Sequence, residues 1–183
     1  MILSDTRILQ EMKSGHIVIR PFRRGCLGSN SYDVHLGRYL ATYSRPELDV
    51  KKRNPIHEFE IPRQGFVLMP NQLYLGVTEE YTETHRHVPY LEGKSSVGRL
   101  GIDIHSTAGK GDVGYANYWT LEISAKVPVR IYAGMPIGQL IYFEVSGPVR
   151  SPYGAKKSAK YTRVSSHPMP SKMYLNFSRP SRR

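Results

Sequence analysis

LEGKSSVGRLGIDIHSTAGKGDVGYANYWTLEI, residues 91–123, joins a glycine-punctuated loop to two runs in which apolar and polar residues alternate. Alternation with a period of two is typical of half-buried strands. The same pattern recurs along most of the chain in short runs separated by Gly, Pro and Asn, about every eight to twelve residues. These runs predict a mainly β fold, a sandwich or barrel of the jelly-roll kind. Residues 4–14 predict one short N-terminal helix, capped by Ser4 or Asp5 and ended by Gly15.

The second run of the quoted stretch, WTLEISAKV, has two distinct faces. Trp119, Leu121 and Ile123 point to one side of the predicted strand, and Glu122 points to the other. A hairpin centred near residue 111 would place position 99 or 100 opposite position 122 or 123. We therefore expect Arg99 and Glu122 to be neighbours, an arrangement that would keep the carboxylate ionised and held in place.

The composition indicates one ordinary domain inside the cell. The chain has 183 residues, 39% of them hydrophobic, which suffices for a single core. Its single cysteine, Cys26, excludes a disulfide framework and any site with several thiolates. No apolar run is long enough to cross a membrane, and acidic residues interrupt the N-terminus where a secretory signal would be apolar. We expect a cytoplasmic protein without a membrane partner.

The positive charge is concentrated at the C-terminus. The formal net charge is +11, and residues 150–183 contain nine Lys and Arg with no Asp or Glu. This distribution divides the chain into a β domain, residues 1–148, and a basic segment, residues 149–183, that would attract phosphate-bearing partners. A solvated, partly disordered tail is an equal alternative for the last ten residues. Nucleic-acid binding is the weaker interpretation, because the strands lack interleaved aromatic and basic residues.

The loop EGKSS offers donors without matching a common catalytic motif. The chain has no His-Glu-x-x-His and no Pro-Cys-x-x-Cys, so the sequence predicts no zinc site, and the first glycine of a Walker loop is missing. The loop resembles a phosphate cradle only in kind: its glycines allow close approach of the backbone, and Lys94, Ser95 and Ser96 supply hydrogen-bond donors. If the loop forms one helical turn, Ser95 and Arg99 share a face.

Several motifs in order resemble those of the dCTP deaminase family within the dUTPase-like superfamily. The family pattern D-G-R-S-S-x-x-R-L-G, H-x-T-A, I-D-x-G-[FWY] and V-L-E is close to EGKSSVGRLG, HSTA, GDVGY and TLE here. SNSYDVHLG, AGMPIGQLIYFEVSGP and PYGAKKSAKY extend the resemblance over most of the chain. It implies a distorted jelly-roll barrel, a homotrimer with active sites between subunits, and zinc-independent hydrolysis of dCTP to dUTP and ammonia.

The resemblance also assigns roles to individual residues. A deaminase without a metal needs a carboxylate to take the proton of water, and the resemblance gives this role to Glu122, with Ser95 holding the water and Arg99 fixing Glu122. It implies that the phosphates are contacted by Lys94, Ser96, Tyr153 and Lys160. It implies that the deoxyribose is contacted by Asp112 and Tyr115, and that the base is contacted by His105, Thr107 and Ala108. His105 is equally well explained as an inert strand residue. Mg²⁺ is expected on the triphosphate rather than on protein side chains, and dTTP is a possible inhibitor.

Two departures and two alternative activities remain open. Lys94 stands where the family usually has arginine, and Val164 stands where a glutamine that closes over the ligand is common. A plain dUTPase would share the loop and Asp112 but lack Glu122. Bifunctional relatives that carry dCTP through to dUMP retain both the aspartate and the glutamate. The deaminase that releases dUTP is the first expectation, and the bifunctional enzyme is the alternative.

Overall fold

The structure, a computed structural model, describes residues 1–178. The one long helix, α1 (Asp5–Lys13), begins at the predicted cap, since the Ser4 side chain accepts a hydrogen bond from the Arg7 amide. Ile8 on its inner face is fully buried. A single helical turn, α2 (Ser95–Gly98), forms from the loop of the quoted stretch, which meets the condition under which Ser95 and Arg99 share a face. Arg179, Arg182 and Arg183 of the predicted tail lie outside the described residues.

Eleven strands account for most of the regular structure between residues 1 and 178, which confirms the predicted mainly β fold. They are β1 (Ile17–Arg20), β2 (Tyr32–His35), β3 (Tyr39–Tyr43), β4 (Ile56–Glu60), β5 (Phe66–Leu68), β6 (Tyr74–Thr84), β7 (His87–Gly93), β8 (Ile102–Asp103), β9 (Ala116–Ala125), β10 (Val129–Ile131) and β11 (Pro136–Glu144).

The strands form three antiparallel sheets around one apolar core. The largest has the order β4-β3-β6-β9-β8, with β1 also paired to the second half of β6. The others are β2-β11-β7 and β10-β5. Fully buried side chains from different sheets, among them Tyr32, Leu121, Ile131 and Tyr142, belong to one cluster. This closure leaves one face of β9 turned away from the core.

The alternation predicted for β9 is confirmed. Trp119, Leu121 and Ile123 are buried, while Thr120 and Glu122 on the other face are only partly covered. β9 pairs with β6 with a register shift between Val77 and Tyr81. Glu122 is therefore a strand carboxylate on the outer face of a rigid, doubly paired strand, where its position is fixed by the backbone.

The predicted hairpin register is wrong by five positions. β8 pairs with β9 through Ile102 opposite Ala125 and Asp103 opposite Ser124, and continuing this register places residue 105, not residue 100, opposite residue 122. The reason lies in the connection between the strands, which is no tight turn. The amide of Leu91 in β7 donates to the Gly109 carbonyl at 2.7 Å, and the Gly111 amide donates to the Pro89 carbonyl at 2.8 Å.

The division at residue 148 stays a prediction, but residues 149–178 lie against the β-sheets. Gly114 makes this contact possible, since a Cβ there would lie 2.6 Å from Pro152 Cβ and its φ is +85°. The Tyr153 amide donates to the Val113 carbonyl at 2.7 Å. In residues 1–178, no helix combines the length and the apolar character that a membrane crossing requires.

Candidate active site

The main cavity lies beside the outer face of β9 and has a volume of about 550 Å³. Six residues predicted from the sequence line it, namely His105, Ala108, Asp112, Tyr115, Glu122 and Tyr153. The strand β9, the connection before it and the C-terminal segment each contribute to its walls. A cavity of this size, with apolar walls and a few convergent polar groups, is typical of a small-molecule site.

Glu122 is held by a histidine. The Nδ1 of His105 donates a hydrogen bond to Glu122 Oε2 at 2.6 Å, because the register of β8 and β9 brings the two residues face to face. The His105 side chain is 8% exposed and that of Glu122 is 32% exposed. Bonding through Nδ1 fixes the tautomer of a neutral imidazole. Glu122 lines the cavity, and among the described residues only Oε2 has a hydrogen-bond partner, so Oε1 is available to take a proton.

Asp112 is held between two cations. Lys110 Nζ lies 2.9 Å from Asp112 Oδ1, and Lys156 Nζ lies 2.9 Å from Oδ2. Hydrogen bonds from Lys156, and then from Lys110, lower the pKa of the Asp112 carboxyl below its ordinary value. The carboxylate is therefore ionised at neutral pH, and of its two ammonium partners Lys110 lines the cavity.

Three tyrosines form an aromatic wall of the cavity. Tyr115 packs edge-on against Tyr153, with ring centroids 5.6 Å apart, and its hydroxyl donates to the Tyr118 carbonyl. Burial raises the pKa of the Tyr115 hydroxyl, which stays protonated. The Tyr161 amide donates to the Tyr153 hydroxyl at 3.1 Å. The wall is thus built jointly by the β domain and by the basic C-terminal segment.

The predicted residues of the α2 loop do not join Glu122 within this chain. Lys94, Ser95 and Thr107 line a second cavity of about 340 Å³, which His105 also lines. Ser95, Ser96 and Arg99 are exposed, and Arg99 caps the C-terminal end of α2. The expected contact between Arg99 and Glu122 in one chain is wrong, because the register of β8 and β9 places His105 opposite Glu122, and the two pair through Nδ1 and Oε2. Lys94 Nζ forms an ion pair with Asp33.

Several residues that line the cavity or pair with its lining residues escaped the sequence analysis. Lys110 and Lys156 both pair with Asp112. The spacing of two residues in GKGD could have indicated the pairing of Lys110 with Asp112, whereas nothing in the local sequence indicates the pairing with Lys156. Met169 and Ser171 line the cavity from a segment past the recognised motifs. Lys160, predicted to contact phosphate, is not among the lining residues, and its carbonyl accepts a hydrogen bond from Lys172 Nζ at 2.7 Å.

Potential metal ligands cluster away from this cavity. In residues 1–178, His35, Glu79 and Glu80 bring three ligand atoms within 4.8 Å of one another. Arg23 pairs with both glutamates, and the His35 Nδ1 lies 2.7 Å from Glu80 Oε1. These charges are already matched by protein groups, and none of the three residues lines the main cavity.

A solved structure shares the fold. The crystal structure of 2'-deoxycytidine 5'-triphosphate deaminase from Agrobacterium tumefaciens matches with a TM-score of 0.60 at 22% sequence identity, over 77% of this chain and 47% of that chain. At this identity the likeness concerns the fold alone. It confirms the predicted barrel of the dUTPase-like kind.

Sequence relatives correct the expected reaction. A protein of Leptospira biflexa is 46% identical over 97% of this chain and 98% of its own length. A protein of Clostridium acetobutylicum is 48% identical over 88% of this chain and 90% of its own length. Both are named "dCTP deaminase, dUMP-forming". The first expectation, an enzyme that stops at dUTP, is therefore wrong, and the alternative that retains both the aspartate and the glutamate agrees with these names.

The sequence profile of the dCTP deaminase-like family matches residues 2–145. That range contains α1 and all eleven strands, and it includes both Asp112 and Glu122. The resemblance noted in the sequence motifs is thereby confirmed over most of the chain. This chain belongs to the dCTP deaminase-like family.

Proposed function

We propose that this protein is a bifunctional hydrolase that converts dCTP to dUMP, ammonia and diphosphate. The observation that carries the proposal is that Glu122 and Asp112 line the same cavity. The names of the relatives at 46% and 48% identity support the same product. Two waters are consumed, one at C4 of cytosine and one at the α-phosphorus.

In the first step, Glu122 acts as the general base. Its Oε1 takes a proton from water while the oxygen of that water bonds to C4 of cytosine, and the proton passes to N3. Glu122 then takes the remaining proton of that water from the new C4 hydroxyl and delivers it to the exocyclic nitrogen; the bond from C4 to nitrogen breaks, the C4 carbonyl forms, and ammonia leaves. His105 holds Oε2 at 2.6 Å, so one carboxylate oxygen is oriented and the other is free to react.

In the second step, Asp112 orients water toward the α-phosphorus. The new bond joins the water oxygen to that phosphorus, the bond to the bridging oxygen breaks, and diphosphate leaves. Lys110 and Lys156 keep Asp112 ionised and place positive charge close to the developing phosphate charge. Tyr115 and Tyr153 form the aromatic wall against which the deoxyribose packs.

The residues of α2 complete the site from a second copy of the chain. Ser95, Ser96 and Arg99 are exposed and do not reach Glu122 in one chain, yet the second cavity beside them shares His105 with the main cavity. A homotrimer with the sites between subunits brings a neighbour's α2 to this position. Ser95 and Arg99 then face the cytosine, while Lys94 and Ser96 face the phosphates.

Mg²⁺ enters this proposal only as a partner of the triphosphate. Asp112, which the proposal places beside the phosphates, already pairs with two lysines, so we do not assign it as a ligand of the ion. Phosphate oxygens suit Mg²⁺ as ligands, and the ion would neutralise part of their charge when bound.

Replacement of Glu122 by glutamine tests the proposal. Glutamine keeps an oxygen that accepts from His105 but takes no proton, so we expect ammonia release from dCTP to fall by a factor on the order of 10² to 10⁴. Nucleotide affinity, measured by calorimetry, should stay within about threefold, because no binding contact is removed. Substantial ammonia release by this variant would overturn the assignment of Glu122 as the base.

A further inference from the structure

Asn117 is a fully buried polar residue of β9. A buried amide without partners costs about 1–3 kcal/mol, so its hydrogen bonds decide whether it is tolerated. Its Nδ2 donates to the carbonyls of Tyr161 and Arg163 at 3.2 and 3.0 Å. Its Oδ1 accepts from the amides of Tyr118 and Ser165, each at 2.9 Å. All four positions of the amide are used.

Three of these four bonds reach the C-terminal strap, which we define as residues 161–172. Farther along the strap, the Met169 amide donates to Thr120 Oγ1 at 3.2 Å and the Ser171 amide donates to the Tyr43 hydroxyl at 3.0 Å. Met169 and Ser171 also line the main cavity. The same segment that Asn117 binds therefore continues into the wall of the candidate site.

The outer side of the strap is held by a histidine. The ring of His167 stacks on Tyr39 with centroids 4.3 Å apart, and its Nδ1 lies 2.8 Å from Glu58 Oε1. These contacts are exposed, and an exposed pair contributes about 1 kcal/mol or less. The buried amide of Asn117 is thus the stronger anchor, since its bonds are shielded from competing water.

We propose that Asn117 is a positioning residue that fixes the C-terminal strap and thereby holds Met169 and Ser171 in the wall of the nucleotide site. The inference deepens the proposed function and rests on it for the identity of the ligand. Asn117 itself touches no substrate, because its side chain is fully buried and all its polar atoms are bonded to protein.

The test compares Asn117→Ala with the control Asn176→Ala, which removes an exposed asparagine of the same C-terminal region outside the strap. Hydrogen exchange without nucleotide is measured at the amides of Ser165, Met169 and Ser171. We expect about tenfold or greater acceleration in Asn117→Ala, since about 1.4 kcal/mol of lost bonding corresponds to tenfold. The KM for dCTP should rise about tenfold while kcat stays within threefold. The reason is that a contact with the cavity wall stabilises the bound substrate and the transition state equally, so its loss weakens binding without raising the barrier from the bound state.

A second variant protects the test against a folding defect in Asn117→Ala. Thr120→Val with Tyr43→Phe leaves Asn117 in place and removes the two acceptors of the Met169 and Ser171 amides. It should also accelerate exchange at these two amides and raise KM. Unchanged exchange in both folded variants would overturn the anchor, and faster exchange with unchanged KM would overturn its role in the site.

The two proposals fail in different ways. If the wild-type chain releases no ammonia from dCTP, the proposed function fails. The anchor is then judged by exchange at the strap amides and by calorimetric affinity for dCTP, neither of which requires turnover. Faster exchange at the strap amides of Asn117→Ala, together with an affinity for dCTP lowered about tenfold, supports the anchoring role of Asn117. An unchanged exchange rate or an unchanged affinity in this variant contradicts it.

Discussion

Two inactive variants should restore activity when they share a trimer. Glu122→Gln removes the proposed base from the main cavity, and Arg99→Ala removes the guanidinium of the exposed α2. Within one chain these residues do not meet, because the pairing of Asp103 with Ser124 places His105 opposite Glu122. In the proposed homotrimer, each site would take Glu122 from one chain and Arg99 from its neighbour.

The expected recovery follows from counting sites. In a cyclic trimer that contains both variants, in either ratio, one of the three interfaces joins an intact Glu122 to an intact Arg99. The two variants are co-expressed with different affinity tags and purified through both tags in sequence. Ammonia release from dCTP should reach about one third of the wild-type rate per trimer, while each variant alone stays near background.

A matched control excludes trivial explanations of this recovery. Glu122→Gln co-expressed with the double variant Glu122→Gln, Arg99→Ala contains no intact Glu122 and should stay inactive. Mixed trimers that show only the sum of the two residual activities would refute the shared site. They would mean that Glu122 and Arg99 do not serve one site from two different chains.

Three further predictions concern single residues. His105→Ala should lower kcat by a factor of about 10 to 100 with little change in KM, because the Glu122 carboxylate loses its fixed orientation. His105→Asn keeps a donor near the position of Nδ1 and should recover part of the lost kcat. Equal rates in both variants would contradict the positioning role of His105. Asp112→Asn should release ammonia while dUTP accumulates, and diphosphate release at the wild-type rate would rule out its role in the second step. Because the pKa of Asp112 is lowered in the folded protein, its ion pairs stabilise the fold at pH values above its unfolded pKa of 3.8 and lose that effect as the pH falls through the folded pKa. The difference in the free energy of unfolding between wild type and Asp112→Asn, measured by urea unfolding, should therefore vanish in acid. Gly114→Ala should lower Tm by a few degrees, because a non-glycine residue at φ +85° costs about 1–2 kcal/mol and its Cβ would contact Pro152. An unchanged Tm in a calorimetric scan would mean that the C-terminal segment is not packed against Gly114 as described.

The sequence predicted those features that depend on neighbours along the chain. The period of two in β9 placed Glu122 on the outer face, and Ser4 marked the start of α1. Both depend on local geometry, which a single sequence records directly. The predicted residues His105, Asp112, Tyr115 and Tyr153 line one cavity with Glu122, and they were found through the resemblance to the family motifs, not through local geometry.

The features that depend on distant pairing could not be read from the sequence. The register of β8 and β9 is set by the connection between them, which crosses to β7 through Gly109 and Gly111 instead of turning tightly. At Gly109, a Cβ would lie 2.5 Å from the Leu91 carbonyl oxygen, so the glycine records a close approach whose partner the sequence does not name. Likewise, nothing near Asn117 indicates that its amide binds a segment more than 40 residues away.

The central claim is that one cavity carries dCTP through two hydrolyses. The most direct measurement incubates the wild-type protein with dCTP and Mg²⁺ and quantifies ammonia, diphosphate, dUTP and dUMP over the same time course. We predict equal molar amounts of ammonia, diphosphate and dUMP, with little free dUTP at any time. Ammonia released together with accumulating dUTP, and without diphosphate, would contradict the account.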